Sequence, residues 1–197
     1  MASDIPTALW FVESLLNSID VESGEDDFDS VPRFQRWLAN HDRGTAVERA
    51  SADDLELARA IRTELRNLAA AHAEQAASTD TGRLDALAAR VPLRAMFGGE
   101  TIGLAPAVDG VPGVLGEVLA AVVIAGQDGS WRRLKLCREG TCQVVFYDRS
   151  KNASRCWCSM QVCGNRNKTR AYRRRVSPPA AMSARAATAA GRRKQVG

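Results

Sequence analysis

Residues 155–175 read RCWCSMQVCGNRNKTRAYRRR, and this stretch decides how the rest of the chain divides. Three of the chain's five cysteines, Cys156, Cys158 and Cys163, fall within it, and a run of arginines follows at once. The other two stand just upstream in KLCREGTCQVVFYD, residues 135–148, as Cys137 and Cys142. The outer four form Cys137-x4-Cys142-x15-Cys158-x4-Cys163, two pairs of near neighbours separated by an insert of hairpin length. Such spacing lets four thiolates reach the corners of a tetrahedron around Zn²⁺.

The insert supports that reading. Val144 and Phe146 alternate with Val145 and Tyr147 as on a strand, and residues 148–154 are rich in turn formers. Residues 155–158 are expected as the return strand that brings the second cysteine pair beside the first. On a strand Cys156 and Cys158 share a face, so Cys156 competes for a coordination position. Cys158 is preferred because it restores the symmetric spacing and leaves Trp157 for the opposite face, with Cys156 a spare thiol. The rival readings are a disulfide pair, disfavoured in a reducing cytosol, and an iron–sulfur cluster, but a closed four-thiolate site with a hairpin insert favours zinc. Four protein thiolates leave no position open for water, which makes the metal structural. A segment with so few apolar residues needs it, since metal binding supplies about 10–16 kcal/mol in small zinc peptides. The expectation is one structural Zn²⁺ held by Cys137, Cys142, Cys158 and Cys163.

Charge divides the chain at the same place. Residues 1–130 hold 10 Lys/Arg against 21 Asp/Glu, and residues 131–197 hold 17 against 2, so the overall +4 conceals −11 and +15. An acidic body joined to a basic end points to a polyanionic partner for that end. The boundary is placed near residue 130, and residues 177–197, with a Pro-Pro pair and no large apolar run, are expected to form a disordered basic tail.

Working back through the body, the fold class expected is α+β, mostly helical with one small hairpin. Leu9, Val12, Leu15, Leu16 and Ile19 recur at helical spacing. An acidic loop, VESGEDDFDSV, follows; it is either solvated or folds over the basic helix and competes with a nucleic acid. Pro32 opens a helix with Phe34, Trp37 and Leu38 inward. Ser51 to Asp54 resembles a capping box in front of a long helix whose inner face is Ala58, Ile61, Leu65, Leu68 and His72. Gly82 precedes a short helix, and Gly98-Gly99 lies between two short runs as the turn of a hairpin. Pro112 opens an apolar helix ended by Gly126, Asp128 and Gly129. Its apolar run is short and interrupted by Glu117, which suits a buried helix better than a membrane span. With no secretory leader in MASDIPTALWFVESLL, the expected location is the cytoplasm. His41 and His72 stand alone in the acidic half and are expected to be surface or core residues.

The motifs around the cysteines also carry a family resemblance. Phe146-Tyr147-Asp148-Arg149-Ser150, Trp157-Cys158-Ser159-Met160 and Cys163-Gly164-Asn165-Arg166 closely resemble the CGNR zinc finger of bacterial proteins regarded as transcription regulators. The resemblance spans about residues 134–175 and implies the same four metal ligands, in a treble-clef-like module of knuckle, β-hairpin and basic helix. In that family the finger commonly follows an ABATE-type domain, a stress-linked regulatory module. Residues 1–130 resemble it in order and style, with FVESLLNSID standing for a helix that ends in an Asn-Ser pair.

The helix after Cys163 is expected to run to about Arg175. Arg166, Arg170 and Arg174 then line one face, and Lys168, Tyr172 and Arg175 an adjacent stripe. Like charges so placed repel one another and are relieved by phosphates. Arg166, Lys168, Arg170, Arg173, Arg174 and Arg175 are therefore the expected nucleic-acid contacts, and the metal orients the helix that carries them. The resemblance favours DNA over RNA and implies a nucleoid-associated regulator, with a small-molecule effector or protein partner at the N-terminal domain. The competing reading is a zinc-stabilised module that docks on RNA or an acidic protein. No His/Asp/Ser constellation or nucleotide-binding loop points to an enzyme, and no membrane partner is expected.

Overall fold

Ser30 and Ser51 start the two helices around which the acidic body is organised. In the computed structural model, which describes residues 5–48, 50–76, 80–98 and 101–176, helix α2 (Val31–Asn40) begins with Pro32 in its first turn. Helix α4 (Ala52–Glu74) begins with the expected capping box: the Asp54 N–H donates to Ser51 Oγ at 3.2 Å, and Asp54 Oδ2 accepts from the Ser51 N–H at 3.0 Å. Helix α1 (Thr7–Leu16) precedes them, with a short helix α3 (Gly44–Val47) between. Phe34, Trp37 and Leu38 face inward as their spacing predicts, as do Ala58, Ile61 and Leu65, while Leu68 and His72 are half-buried. Helix α1 stops at Leu16; Ile19, expected to continue it, pairs instead with Asp26 in an isolated bridge.

That bridge belongs to the acidic loop, which is far more ordered than a solvated run of charges. Phe28 is fully buried at its centre, 4.8 Å from Phe34 and 5.2 Å from Trp37 in edge-on contacts. Arg62 of α4, itself buried, grips Asp26 with two hydrogen bonds of 2.6 and 2.7 Å, donates to Ser18 Oγ at 2.9 Å and lies over the Phe28 ring. Burial pushes the Asp26 carboxyl upward, but the Arg62 guanidinium and the Phe28 N–H outweigh it and hold its pKa below the usual value. Asp26 and Phe28 thus tie the loop to the body, and of its acidic residues Glu22, Glu25, Asp27 and Asp29 remain exposed.

Helix α5 (Gly82–Ala88) leads to an antiparallel hairpin of β1 (Leu93–Gly98) and β2 (Thr101–Pro106), in register from Leu93↔Pro106 to Gly98↔Thr101. Gly99 of the expected turn lies outside the described residues. Helix α6 (Gly110–Asp128) returns across the hairpin, and Gly113 permits the approach: a Cβ there would stand 2.4 Å from the Val108 carbonyl oxygen. Helix α6 is long and apolar enough to cross a membrane, yet half of its apolar window is buried inside the body. Gly126 lies within the helix and does not end it; Gly129, in the left-handed region at φ 78°, is the cap.

After a 3₁₀ turn (Ser130–Arg133) the chain forms β3 (Leu134–Leu136), paired antiparallel with β4 (Val145–Tyr147). The expected partner of β4 was the stretch 155–158, which forms no strand. The hairpin closes upstream, and the first cysteine pair sits in its connection. The described residues divide into two compact units, one through Cys158 and one from Ser159; the second carries a π-type turn (Met160–Gly164) and helix α7 (Asn165–Val176). The expected tail, residues 177–197, lies outside the described residues.

Candidate metal centre

The connection between β3 and β4 is a tight knuckle. Cys137 N–H donates to the Val144 carbonyl at 2.9 Å, and the Glu139 carbonyl accepts from Cys142 N–H at 2.9 Å and Gln143 N–H at 3.1 Å. These bonds point both cysteines of the pair to one side. The return segment is held to the knuckle by Arg138 N–H, which donates to the Cys156 carbonyl at 3.0 Å, a single backbone bond in place of the expected strand.

A buried ion pair shapes that return. Lys135 and Asp148 are 3% and 0% exposed, and their Nζ and Oδ2 lie 2.8 Å apart. Asp148 also accepts from Ser150 N–H at 2.9 Å, Ser150 Oγ at 2.7 Å and Arg155 N–H at 2.8 Å. Burial pushes its carboxyl upward, but Lys135, Ser150 and the Arg155 N–H outweigh it and hold the pKa at about 2. The Lys135 ammonium further bonds the Ala153 carbonyl, so the loop between Asp148 and Arg155 is folded around one charge pair. Arg155 completes it, its guanidinium over the Phe146 ring and donating to the Cys158 carbonyl at 2.7 Å. In the second unit Ser159 Oγ accepts from Val162 N–H at the start of the π-type turn that carries Cys163.

The result is that the sulfurs of Cys137, Cys142, Cys158 and Cys163 all lie within 4.8 Å of one another. Cys142 and Cys158 sulfurs are 3.6 Å apart. Four sulfurs about 2.3 Å from a tetrahedral zinc stand roughly 3.8 Å from each other, so the cluster is of the right size for one ion. Cys137, Cys142 and Cys163 are buried and Cys158 half-buried. Cys156 lies outside the cluster, its thiol turned toward the Ser154 carbonyl at 3.6 Å.

Two comparisons bear on this arrangement. Residues 133–176 match the CGNR zinc finger, the segment that holds all four cysteines. Residues 6–128 match ABATE, whose description reads "Putative stress-induced transcription regulator". The chain belongs to the ABATE family. No curated protein matches it.

Within this ABATE chain the knuckle hairpin is bonded directly to the helical body. Asn17, at the end of α1, donates from Nδ2 to the Val145 carbonyl and accepts on Oδ1 from the Val145 N–H, both at 2.8 Å, so its amide stands in for a neighbouring strand. Arg66 donates to the carbonyls of Leu16 at 2.6 Å and Gln143 at 2.8 Å, and Arg138 donates to the Ala73 carbonyl at 2.5 Å. His72 Nδ1 faces the Leu134 carbonyl at 2.9 Å. The Asn-Ser pair of the resemblance is therefore a joint: Asn17 holds the hairpin and Ser18 receives Arg62. Asn17→Ala is expected to leave both Val145 backbone groups unpaired and to cost about 2–3 kcal/mol, read by urea unfolding of the metal-loaded protein.

Sequence reasoning missed Lys135, Arg155 and Asn17 as supports of the site. The six basic residues expected to touch nucleic acid are all on α7 and all exposed. Tyr172, on the adjacent stripe of α7, is 61% exposed.

Proposed function

We propose that this protein is a DNA-binding transcription regulator of the bacterial cytoplasm, in which Cys137, Cys142, Cys158 and Cys163 hold one structural Zn²⁺ that fixes the start of α7. The acidic body, residues 1–130, is its regulatory domain, and residues 131–176 are its finger. One observation carries the reading. Glu139 and Asp148 are the only acidic residues after position 130, and both are fully buried. The exposed charge of residues 131–176 is therefore wholly cationic, which the net count alone understates. On α7, Arg166, Lys168, Arg170, Arg173, Arg174 and Arg175 present this charge at helical spacing, and arginine can make bidentate contacts with guanine edges.

With six to eight phosphates neutralised, log K on a random duplex is expected to fall with log salt at a slope of roughly −5 to −7. Replacing Arg166, Arg170 and Arg174 together by Ala should flatten that slope by roughly 3 and leave metal content unchanged. Fluorescence anisotropy on duplex DNA, with single-stranded RNA as competitor, provides the measurement. A triple variant that binds with unaltered affinity and slope removes α7 from the interface. Preference for RNA moves the protein to the competing class.

A further inference from the structure

A cleft of about 410 Å³ opens where the C-terminal end of α4 meets the finger segment, and none of the four clustered cysteines lines it. Its walls come from both matched families: Leu68, His72 and Gln75 from the ABATE segment, Arg132, Lys135 and Asn152 from the finger. Among the described residues no carboxylate lines it, although the body that supplies half its wall is strongly acidic.

Three side chains in the cleft offer donors that the protein leaves unused. Lys135 is neutralised by Asp148, but the guanidinium of Arg132 and the side-chain amides of Asn152 and Gln75 have no hydrogen-bond or ion-pair partner among the described residues. His72 is oriented by its Nδ1 contact to the Leu134 carbonyl and by the edge of Trp131, 5.3 Å away; since a carbonyl only accepts, Nδ1 carries the proton and Nε2 of the neutral ring is an acceptor. The negative end of α4 does not cancel this field, because the Ala71 and His72 carbonyls already accept from the Ala76 and Gln75 N–H groups. Burial, then the positive charges of Arg132 and Lys135 against the opposing Leu134 carbonyl, lower the His72 pKa. The remaining wall, with Leu68, Ala71 and Ala153, is apolar, and the volume falls within the roughly 300–1,000 Å³ of small-molecule sites.

We propose that this cleft binds a small metabolite with an anionic head, a carboxylate or a phosphate, clamped by Arg132 and the side-chain amides of Asn152 and Gln75, with its short carbon body against Leu68 and Ala71. The inference gives a chemical class to the effector of the regulatory reading. Because its walls belong to α4 on one side and to the finger hairpin on the other, occupancy stiffens the joint that Asn17 and Arg66 already make.

The test uses the metal-loaded full chain and no DNA, so its failure is distinct from failure of the DNA reading. Inorganic phosphate and butyrate are titrated separately at constant ionic strength against chloride, following the ¹⁵N–¹H resonances of His72, Gln75 and Asn152. Saturable shifts at millimolar concentration with either probe are expected, and the probe that saturates identifies the head group. Arg132→Gln should weaken that binding by about tenfold or more while spectral dispersion and metal content stay intact; Asn152→Ala should weaken it independently. Shifts that stay linear for both probes, or an Arg132→Gln protein that binds equally well, overturn the proposal.

Discussion

Stripping the metal is expected to unfold residues 131–176 and to lower the melting temperature of the whole chain. Few large apolar side chains are buried between Trp131 and Phe146, chiefly Trp131, Leu134, Val145 and Phe146, and α7 buries none. Against that small core, a structural zinc contributes about 10–16 kcal/mol, comparable to the entire stability of an ordinary domain. The helical body has its own core around Phe28, Phe34 and Trp37 and should remain folded at room temperature. It should nevertheless melt earlier, since Asn17, Arg66 and His72 lose the backbone partners that the hairpin offers. Amide exchange should show protection lost from 134–147 and kept in α4. Metal analysis should find one zinc per chain and no iron, which separates this site from an iron–sulfur cluster. Cys163→Ser should abolish stoichiometric binding and Cys156→Ser should not. A chain whose exchange pattern and melting temperature are unmoved by complete metal removal would refute the structural role.

The four cysteines could be picked out from sequence because coordination constrains spacing: two pairs and a hairpin-length gap leave few ways to reach one ion. The helices were legible for a similar reason, since Phe34, Trp37 and Leu38, or Ala58, Ile61 and Leu65, repeat at the period of the structure they form. What escaped were residues whose roles depend on a distant partner. Asn17 is 128 positions from Val145, and nothing local marks its amide as a substitute strand. The acidic loop read as solvated because its charges are dense, yet Phe28 and the Asp26–Arg62 pair, 36 positions apart, make it a fixed part of the body. The partner of β4 is not legible in the sequence because β3 and β4 are only three residues each, too short for alternation to discriminate between LKL and RCWC. The cationic cleft was invisible for the same reason, its two walls being some 60 residues apart in the chain.

Asp148→Asn is expected to destabilise the finger far more than Lys135→Met, although the two side chains form one ion pair. The asymmetry follows from what each leaves behind. Without the carboxylate, the Lys135 ammonium remains buried with only the carbonyls of Ala153 and Arg155, and an uncompensated buried charge of this kind costs about 3–5 kcal/mol. Without the ammonium, Asp148 still accepts from two N–H groups and the Ser150 hydroxyl, so its charge stays solvated by the loop it organises. Lys135→Met is therefore expected to cost about 1–2 kcal/mol, and the double variant should cost less than Asp148→Asn alone because no orphaned charge remains. Urea unfolding of the metal-loaded proteins at neutral pH gives the cycle, and the rate of zinc transfer to a competing chelator gives a second readout should Asp148→Asn fold poorly. At neutral pH the carboxyl, held at about 2, is fully ionised, so its contribution is complete; it would fade only as pH fell from the ordinary aspartate range through about 2. Equal losses for the two single variants would mean that the pair acts as a simple salt bridge, and that the loop carrying Arg155 to Cys158 is held by something other than the Asp148 carboxylate.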